Sequence, residues 1–137
     1  MRCLIDTNIF LFFILNKDLL KPHILDILED YGNDIYISSE SIKEIVILLE
    51  LGKIHAKQWR NAENLLATIT EWNFRIKFVA LEHLYGFARL QPVANHRDPT
   101  DRMIIAQAIT EQLTLISSDR MFGHYRRQHL DFLYNER

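Results

Sequence analysis

Acidic side chains stand directly after two apolar segments of the sequence. Arg2 to Ile5 is followed at once by Asp6, and Leu113 to Ile116 is followed by two serines and Asp119. Short apolar runs of this kind are typical of buried strands. If both are parallel strands of one sheet, the two carboxylates lie at the edge where the strands end. Open α/β sheets build their sites at that edge.

Two more acids belong to helices that are predicted to begin near the same edge. Glu44 lies in the first turns after Ser39, and Asp101 lies in the first turn after Asp98. A helix that follows a parallel strand starts where that strand ends. The sequence therefore predicts that four carboxylates meet in one cleft: Asp6, Glu44, Asp101 and Asp119.

Such a cluster favours metal-dependent chemistry on phosphodiesters. Like charges a few ångströms apart raise each other's pKa unless a cation compensates them. Carboxylate oxygens suit Mg²⁺ or Mn²⁺, which can lower the pKa of a bound water and stabilise a phosphodiester transition state. The net charge is −2, so the chain without these four acids carries +2. Three arginines beside the acids are candidate phosphate contacts: Arg97, Arg102 and Arg120.

Each acid also has a purely structural interpretation. Asp6 can cap the helix that follows it. Glu44 can be a solvated helix residue or the partner of Ser41 in a capping box. For Asp98 we favour the role of a helix cap. Asp119 can be a turn residue. Only the predicted convergence of the acids favours a functional site.

Strands and helices alternate along the chain, which implies an α/β fold with a central parallel sheet and helices on both faces. The predicted strands cover residues 2–5, 35–37, 75–79, 113–116 and 131–134. The predicted helices cover residues 9–15, 21–29, 38–52, 55–72 and 80–90, with a sixth that begins at Asp98.

Length and composition predict a single globular domain over residues 1–137. The one cysteine, Cys3, has no partner for an internal disulfide, so we expect a reducing, cytoplasmic setting. No signal peptide is predicted, because the N-terminal residues lack a basic region before an apolar run. The longest apolar run, residues 9–15, is far shorter than the roughly 20 residues of a membrane helix.

Several side chains are predicted to pack or to face solvent rather than to react. His96 adjoins Arg97 and Asp98, yet we expect a solvated loop histidine there. Trp59 and Trp72 are predicted within one helix, as core or interface residues. The apolar helix over residues 9–15 is expected to be buried on every side or to form an interface. Three further apolar residues lie off the main face of their helix and hint at a second contact surface: Ile47, Leu48 and Leu51.

The motifs that carry these acids resemble those of a known family. They are Leu4-Ile5-Asp6-Thr7-Asn8, Ser38-Ser39 with Glu44, the segment from His96 to Ala108 (HRDPTDRMIIAQA), and Leu115-Ile116-Ser117-Ser118-Asp119. The order and spacing resemble PIN domains, and in particular the toxin subunits of VapBC toxin–antitoxin modules. The resemblance covers nearly the whole chain, and its third motif is the most specific.

This resemblance implies a metal-dependent ribonuclease with a PIN-like three-layer α/β/α fold and a central parallel sheet of four or five strands. Asp6 and Asp101 would be the most direct ligands of Mg²⁺ or Mn²⁺, and Glu44 and Asp119 would complete the site or act through water. The polar supports would be Thr7, Asn8 and Ser117. Thr100 stands where many relatives carry an aromatic residue. The resemblance also implies an antitoxin partner, and a homodimer is the alternative use of the apolar surfaces.

Three other functions compete with the toxin hypothesis. The first is a PIN nuclease of RNA processing or decay, which the sequence alone does not exclude. A phosphotransfer domain fits poorly: a haloacid-dehalogenase-type enzyme requires an acid where Asn8 stands, and a receiver domain requires an acid next to Asp6. A non-catalytic interaction module on the same fold is disfavoured, because all four acids are present.

Overall fold

A parallel sheet of five strands forms the centre of the protein. In this computed structural model, which describes residues 1–137, the strands are β1 (Arg2–Ile5), β2 (Asp34–Ser38), β3 (Arg75–Lys77), β4 (Thr114–Ser117) and β5 (Asp131–Tyr134). Their order across the sheet is β3-β2-β1-β4-β5, and every neighbouring pair is parallel. All five predicted strands are thus present.

Six α-helices connect the strands. They are α1 (Thr7–Leu15), α2 (Pro22–Glu29), α3 (Ser39–Glu50), α4 (Ala62–Glu71), α5 (Leu81–Arg89) and α6 (Pro99–Glu111). Two 3₁₀ helices accompany them, at Lys17–Leu19 and Arg120–Gln128. None of the helices has the length and apolar character that crossing a lipid bilayer requires.

Side-chain alternation along β1 divides the interior into two cores. Cys3 and Ile5 pack with residues of α1 to α4, whereas Leu4 packs with residues of α6 and the Arg120–Gln128 helix. Successive strand residues point to opposite faces, so a continuous apolar strand needs helices on both faces. The predicted three-layer α/β/α fold is therefore confirmed.

The strand order explains both the layers and the place of the site. From β1 the chain moves outward to β2 and β3, and then it returns past β1 to β4 and β5. Because crossover connections are right-handed, reversing the direction moves the connecting helices α5 and α6 to the other face. The order reverses between β1 and β4, and ligands of open α/β sheets bind at such a switch point.

The predicted helix over residues 55–72 is wrong in its first half. The α4 helix begins only at Ala62, because the Asn61 side chain caps it by accepting a hydrogen bond from the Asn64 amide at 3.0 Å. Trp59 precedes the helix and is buried, with its ring stacked on Phe10 at a centroid distance of 6.1 Å. Trp72 ends the helix and is 44% exposed.

The end of β3 and the segment after β4 also differ from the prediction. β3 ends at Lys77 rather than Val79, because the Val79 amide donates to the Ser39 hydroxyl (3.3 Å) instead of continuing the sheet. The 3₁₀ helix Arg120–Gln128 was not predicted at all. Its repeat of three residues per turn differs from the 3.6-residue periodicity by which amphipathic helices are recognised in sequences.

Candidate active site

Asp6 is buried at the carboxyl end of β1, where it serves two purposes. Its Oδ1 accepts a hydrogen bond from the Ile9 amide at 2.9 Å and so caps α1. Its Oδ2 accepts a hydrogen bond from the hydroxyl of Ser117 at the end of β4. The capping interpretation is therefore correct, but the cap uses only one of the two oxygens. The hydrogen bond from Ser117 orients the other oxygen toward the switch point between β1 and β4.

The environment of Asp6 disfavours a bare negative charge. Burial is the main reason that its pKa rises from 3.8 to about 7, and the nearby charges of Asp101 and Asp119 raise it further. The hydrogen bonds from Ser117 and Ile9 act in the opposite direction. A bound cation would relieve the same unfavourable charge.

Asp101 reaches the site from the first turn of α6. Asp98 caps this helix, since its Oδ1 accepts a hydrogen bond from the Asp101 amide at 3.0 Å. The Asp101 pKa rises to about 6, chiefly because of burial and then because of the Asp98 charge, while a hydrogen bond from His96 lowers it. The Asp98 side chain thus has the structural function that we favoured.

Asp119 completes a group of three acids. It begins the Arg120–Gln128 helix, where its Oδ1 accepts a hydrogen bond from the Met121 amide at 2.9 Å. Its own amide donates to the Ser117 hydroxyl oxygen at 3.0 Å. Ligand atoms of His96, Asp101 and Asp119 lie within 4.8 Å of one another. The site therefore gathers acids from β1, α6 and the turn after β4.

Glu44 is less closely associated with the other acids. It is half-buried on α3, the helix that follows β2. No hydrogen bond or ion pair connects its side chain to another residue, and its charge is not among the main causes of the pKa shifts of Asp6 and Asp101. Its membership of the quartet stays a prediction.

The predicted polar supports differ in their surroundings. Ser117 is fully buried, and its hydroxyl connects Asp6 with the Asp119 amide. Thr7 is buried in the first turn of α1, and Asn8 beside it is exposed. Of the three, Ser117 is the one whose side chain makes a hydrogen bond to an acid.

The three arginines that are candidate phosphate contacts differ in exposure and in their contacts. Arg97 is exposed, and so is Arg120, whose Nε donates a hydrogen bond to the Tyr134 hydroxyl at 3.2 Å. The Arg102 guanidinium instead lies 4.4 Å from the centroid of the Phe87 ring, and its Nε is buried without a hydrogen-bond partner. Arg97 and Arg120 can approach a ligand, whereas Arg102 packs against α5.

His96 is not the solvated histidine that we expected. It is 8% exposed, its Nε2 lies 3.3 Å from Asp101 Oδ2, and its Nδ1 lies 2.9 Å from the Tyr125 hydroxyl. The expectation was wrong because the unrecognised 3₁₀ helix supplies Tyr125. The three-residue spacing of Asp119, Phe122 and Tyr125 is the signal in the sequence that could have revealed this support.

A second group of possible ligands, Glu82, His83 and Glu111, does not suit a metal. His83 Nδ1 accepts a hydrogen bond from the Ala80 amide at 2.9 Å, so the ring proton resides on Nε2 and is donated to Glu111 at 2.7 Å. Neither ring nitrogen keeps a lone pair for an ion. Lys77 lies 3.5 Å from the same carboxylate and adds a competing positive charge.

A sizeable cavity lies away from the acids. Its volume is about 580 Å³, and it is lined by residues at the starts of β2 and β3, including Asp34, Ile35 and Arg75. These residues mark the amino edge of the sheet, opposite the edge that carries Asp6. We place the candidate site at the acids, because the charges and the strand order converge there.

The chain is similar to known proteins both in sequence pattern and in structure. The family model described as PIN domain matches residues 3–128. No curated protein matches the chain in a sequence search. A chain of VapBC2 from Rickettsia felis, bound to a DNA fragment from its promoter, is 20% identical over 98% of both chains with a TM-score of 0.68.

Two further solved structures share the fold. VapBC-1 from nontypeable Haemophilus influenzae is 14% identical over 98% of both chains, with a TM-score of 0.65. FitAcB from Neisseria gonorrhoeae is 20% identical over 98% of both chains, with a TM-score of 0.62. The resemblance inferred from the motifs is confirmed. With a family model that spans most of its length, the chain belongs to the PIN domain family.

Proposed function

We propose that this protein is a metal-dependent endoribonuclease and that residues 1–137 form one nuclease domain. The observation that carries the proposal is the position of Asp6. It is a buried carboxylate with a pKa raised to about 7, and it lies at the switch point of the sheet with Asp101 and Asp119 nearby. A perturbed carboxylate in such a cluster is a candidate for chemistry rather than for structure alone.

The residues at the site fit a hard divalent cation. Asp6, Asp101 and Asp119 offer carboxylate oxygens, which are the donors that Mg²⁺ and Mn²⁺ prefer. Asp6 and Asp101 would bind the ion directly, and Asp119 and Glu44 would complete the site or act through water. Such an ion, when bound, makes a coordinated water more acidic and stabilises negative charge on a phosphodiester.

The protein's own groups orient the acids. Ser117 holds one oxygen of Asp6 and the backbone of Asp119, so it sets the relative positions of these two residues. His96 contacts Asp101 on the other side of the site. The exposed guanidinium groups of Arg97 and Arg120 are available to hold the phosphate backbone of RNA.

The cellular role that we propose is that of a toxin held by a cognate antitoxin in the cytoplasm. The support is the similarity to VapBC and FitAB chains together with the motif order. For the contact surface we favour α3, where Ile47 is 47% and the following Leu51 62% exposed. The α1 helix is less suitable, because Ile9, Phe10 and Phe13 are buried in the core. A homodimer through the α3 surface is the alternative.

A nuclease of RNA processing or decay is the second candidate, and a non-catalytic interaction module is the third. A gene for a small DNA-binding protein directly beside this one favours the toxin, and its absence favours the processing enzyme. The intact group of Asp6, Asp101 and Asp119 argues against the interaction module.

Cleavage of a mixed RNA pool tests the proposal. The purified protein, freed of any co-purified partner, is incubated with Mg²⁺, Mn²⁺ or EDTA beside the variant Asp6→Asn. Asp26→Asn is the matched control, since Asp26 is an exposed residue of α2 whose side chain makes no hydrogen bond. We expect metal-dependent cleavage that Asp6→Asn abolishes and Asp26→Asn retains. No cleavage with either metal would favour the interaction module.

A further inference from the structure

The 3₁₀ helix Arg120–Gln128 presents one face to the loop before α6. Three residues per turn place every third side chain on the same side, which here aligns Phe122, Tyr125 and Gln128. Phe122 and Tyr125 are fully buried. This face meets residues 91–96 at three successive points, so it supports the loop along most of its length.

The three points of contact are specific. Gln128 exchanges two hydrogen bonds with the backbone of Gln91, at 2.9 and 2.8 Å. The Tyr125 hydroxyl contacts the Val93 amide at 3.1 Å and His96 Nδ1 at 2.9 Å. The Phe122 ring lies 5.5 Å from the His96 ring. His96 is therefore held by both polar and aromatic contacts.

The hydrogen bonds define where the protons reside. The Val93 amide can only donate, so the Tyr125 oxygen accepts from it and its single proton remains for His96 Nδ1. The neutral imidazole then carries its proton on Nε2, which donates to Asp101 Oδ2 at 3.3 Å. The other neutral tautomer would direct a lone pair at the carboxylate and leave the buried Tyr125 proton without an acceptor.

These contacts connect two acids that come from different parts of the chain. Asp119 begins the 3₁₀ helix, and Tyr125 of the same helix holds His96, which in turn contacts Asp101 on α6. One buried support thus connects the two carboxylates.

We propose that His96 is a positioning residue that holds the Asp101 carboxylate in place for a divalent cation, and that Tyr125 orients His96 for this purpose. The inference rests on the proposed metal-dependent function. Hydrogen bonds to ligating carboxylates orient them and raise their affinity for the metal. His96 acts here through Asp101 and does not touch the cation.

The alternative is that His96 is itself a metal ligand, because its Nε2 lies near both Asp101 and Asp119. The hydrogen bonds favour the positioning role. With Tyr125 donating to Nδ1, Nε2 carries a proton and has no lone pair for an ion. The other groups at the site are carboxylates, which suit Mg²⁺ or Mn²⁺ better than imidazole does.

Binding of Mn²⁺ to the purified 137-residue protein, measured by electron paramagnetic resonance, tests the inference without any need for RNA cleavage. The variants are Tyr125→Phe, His96→Leu and His96→Gln, of which the last retains an N–H group close to the position of Nε2. His124→Gln is the matched control, since His124 is exposed on the same 3₁₀ helix. Thermal unfolding in EDTA verifies that each variant is folded.

We expect Tyr125→Phe and His96→Leu to raise the Mn²⁺ dissociation constant roughly 10- to 100-fold. His96→Gln should restore most of the affinity, which a merely space-filling role of His96 would not produce. Unchanged affinity in Tyr125→Phe and His96→Leu overturns the inference. Pulsed spectra that show a nitrogen bonded directly to Mn²⁺ also overturn it, in favour of the ligand role.

The proposed function and this inference fail in different ways. If the wild-type protein binds no Mn²⁺, or if Asp6→Asn binds it as well as the wild type does, the proposed metal site itself is wrong. If Asp6→Asn loses Mn²⁺ while the His96 and Tyr125 variants keep it, only the positioning role is wrong.

Discussion

The buried hydroxyl of Ser117 donates a hydrogen bond to Oδ2 of Asp6, although 111 residues separate the two in the sequence. The same hydroxyl oxygen accepts a hydrogen bond from the Asp119 amide at 3.0 Å. A hydroxyl has one proton, and an amide can only donate, so the proton of Ser117 is directed to Asp6. This single side chain connects the ends of β1 and β4 at the centre of the candidate site.

Replacing Ser117 by alanine should therefore lower the free energy of unfolding and disfavour the ionised form of Asp6. The variant leaves the Asp119 amide without its acceptor, which costs about 1–3 kcal/mol of unfolding free energy. The Asp6 pKa should rise further, because the Ser117 hydrogen bond lowers it in the wild-type protein. Urea unfolding and carboxyl titration by NMR, both in EDTA, measure the two effects.

Ser118→Ala is the matched control for the pKa effect. The Ser118 hydroxyl accepts a hydrogen bond from Asn135 at 2.7 Å and does not contact Asp6. An Asp6 pKa that is the same in Ser117→Ala and in wild type would contradict the assigned direction of the hydrogen bond.

The metal-free protein should lose stability as the pH rises toward neutral. The Asp6 pKa is raised from 3.8 to about 7, so between these values the folded state holds a proton that the unfolded chain has released. Stability from this group is complete below about pH 4 and is lost as the pH rises through about 7. A shift of this size corresponds to about 4 kcal/mol.

The comparison with Asp6→Asn isolates this contribution. In EDTA, the variant should become more stable than the wild type as the pH rises from about 4 to about 8, measured as unfolding free energy in urea. Saturating Mn²⁺ should stabilise the wild type and reduce the difference, because a cation compensates the buried charge. Wild-type and variant stabilities that follow parallel courses with pH would rule out a raised Asp6 pKa.

Much of the fold was predictable because it depends on local patterns. β1 and β4 are short apolar runs that end in polar residues, and α6 carries a strong start signal in Asp98 and Pro99. The alternation of elements then implies the parallel sheet. The grouping of Asp6 with Asp119 follows from the rule that parallel strands end at one edge, and Asp101 joins them from the first turn of α6.

The parts that were not predictable depend on long-range contacts. Trp59 leaves the helical pattern because the distant Phe10 ring and the Thr68 hydroxyl receive its side chain. His96 is buried because Tyr125, 29 residues later, supplies a hydrogen-bond partner. None of these three partners can be recognised from residues adjacent in the sequence. The placement of Glu44 also depends on how α3 packs, which residue spacing alone does not specify.

Helices α5 and α6 approach closely at Gly86, where an added Cβ atom would lie 2.7 Å from the Thr110 Oγ1. Gly86→Ala should destabilise the protein by about 1–3 kcal/mol through overpacking, less the 0.5–1 kcal/mol or so that alanine gains within a helix. Thermal or urea unfolding of the metal-free protein measures the change.

A double-mutant cycle separates the steric effect from helix propensity. Thr110→Ala removes the atom that the new methyl group would meet, so the double variant Gly86→Ala/Thr110→Ala should recover most of the stability that Gly86→Ala alone removes. Strictly additive effects of the two substitutions would mean that Thr110 does not limit the helix packing.

The three arginines near the acids should respond differently to alanine substitution. Arg97 and Arg120 are exposed, so replacing either one should weaken binding of single-stranded RNA. The slope of the logarithm of the binding constant against the logarithm of the salt concentration should become shallower by about 0.7 for each phosphate that the arginine neutralises. Arg102→Ala should instead reduce the unfolding free energy by about 1 kcal/mol, because its guanidinium lies over the Phe87 ring. Fluorescence anisotropy in EDTA, over a series of salt concentrations, measures binding without cleavage.

Arg75→Ala controls for the loss of one positive charge. Arg75 is the first residue of β3, at the sheet edge opposite the acids, and its exposed ion pair with Asp34 contributes little stability. A fall in RNA affinity as large for Arg75→Ala as for Arg97→Ala and Arg120→Ala would mean that RNA responds to total charge rather than to this site. RNA affinity that falls for Arg97→Ala and Arg120→Ala, while Arg75→Ala keeps the affinity and salt dependence of the wild type, would place the RNA backbone at the carboxyl edge beside Asp6.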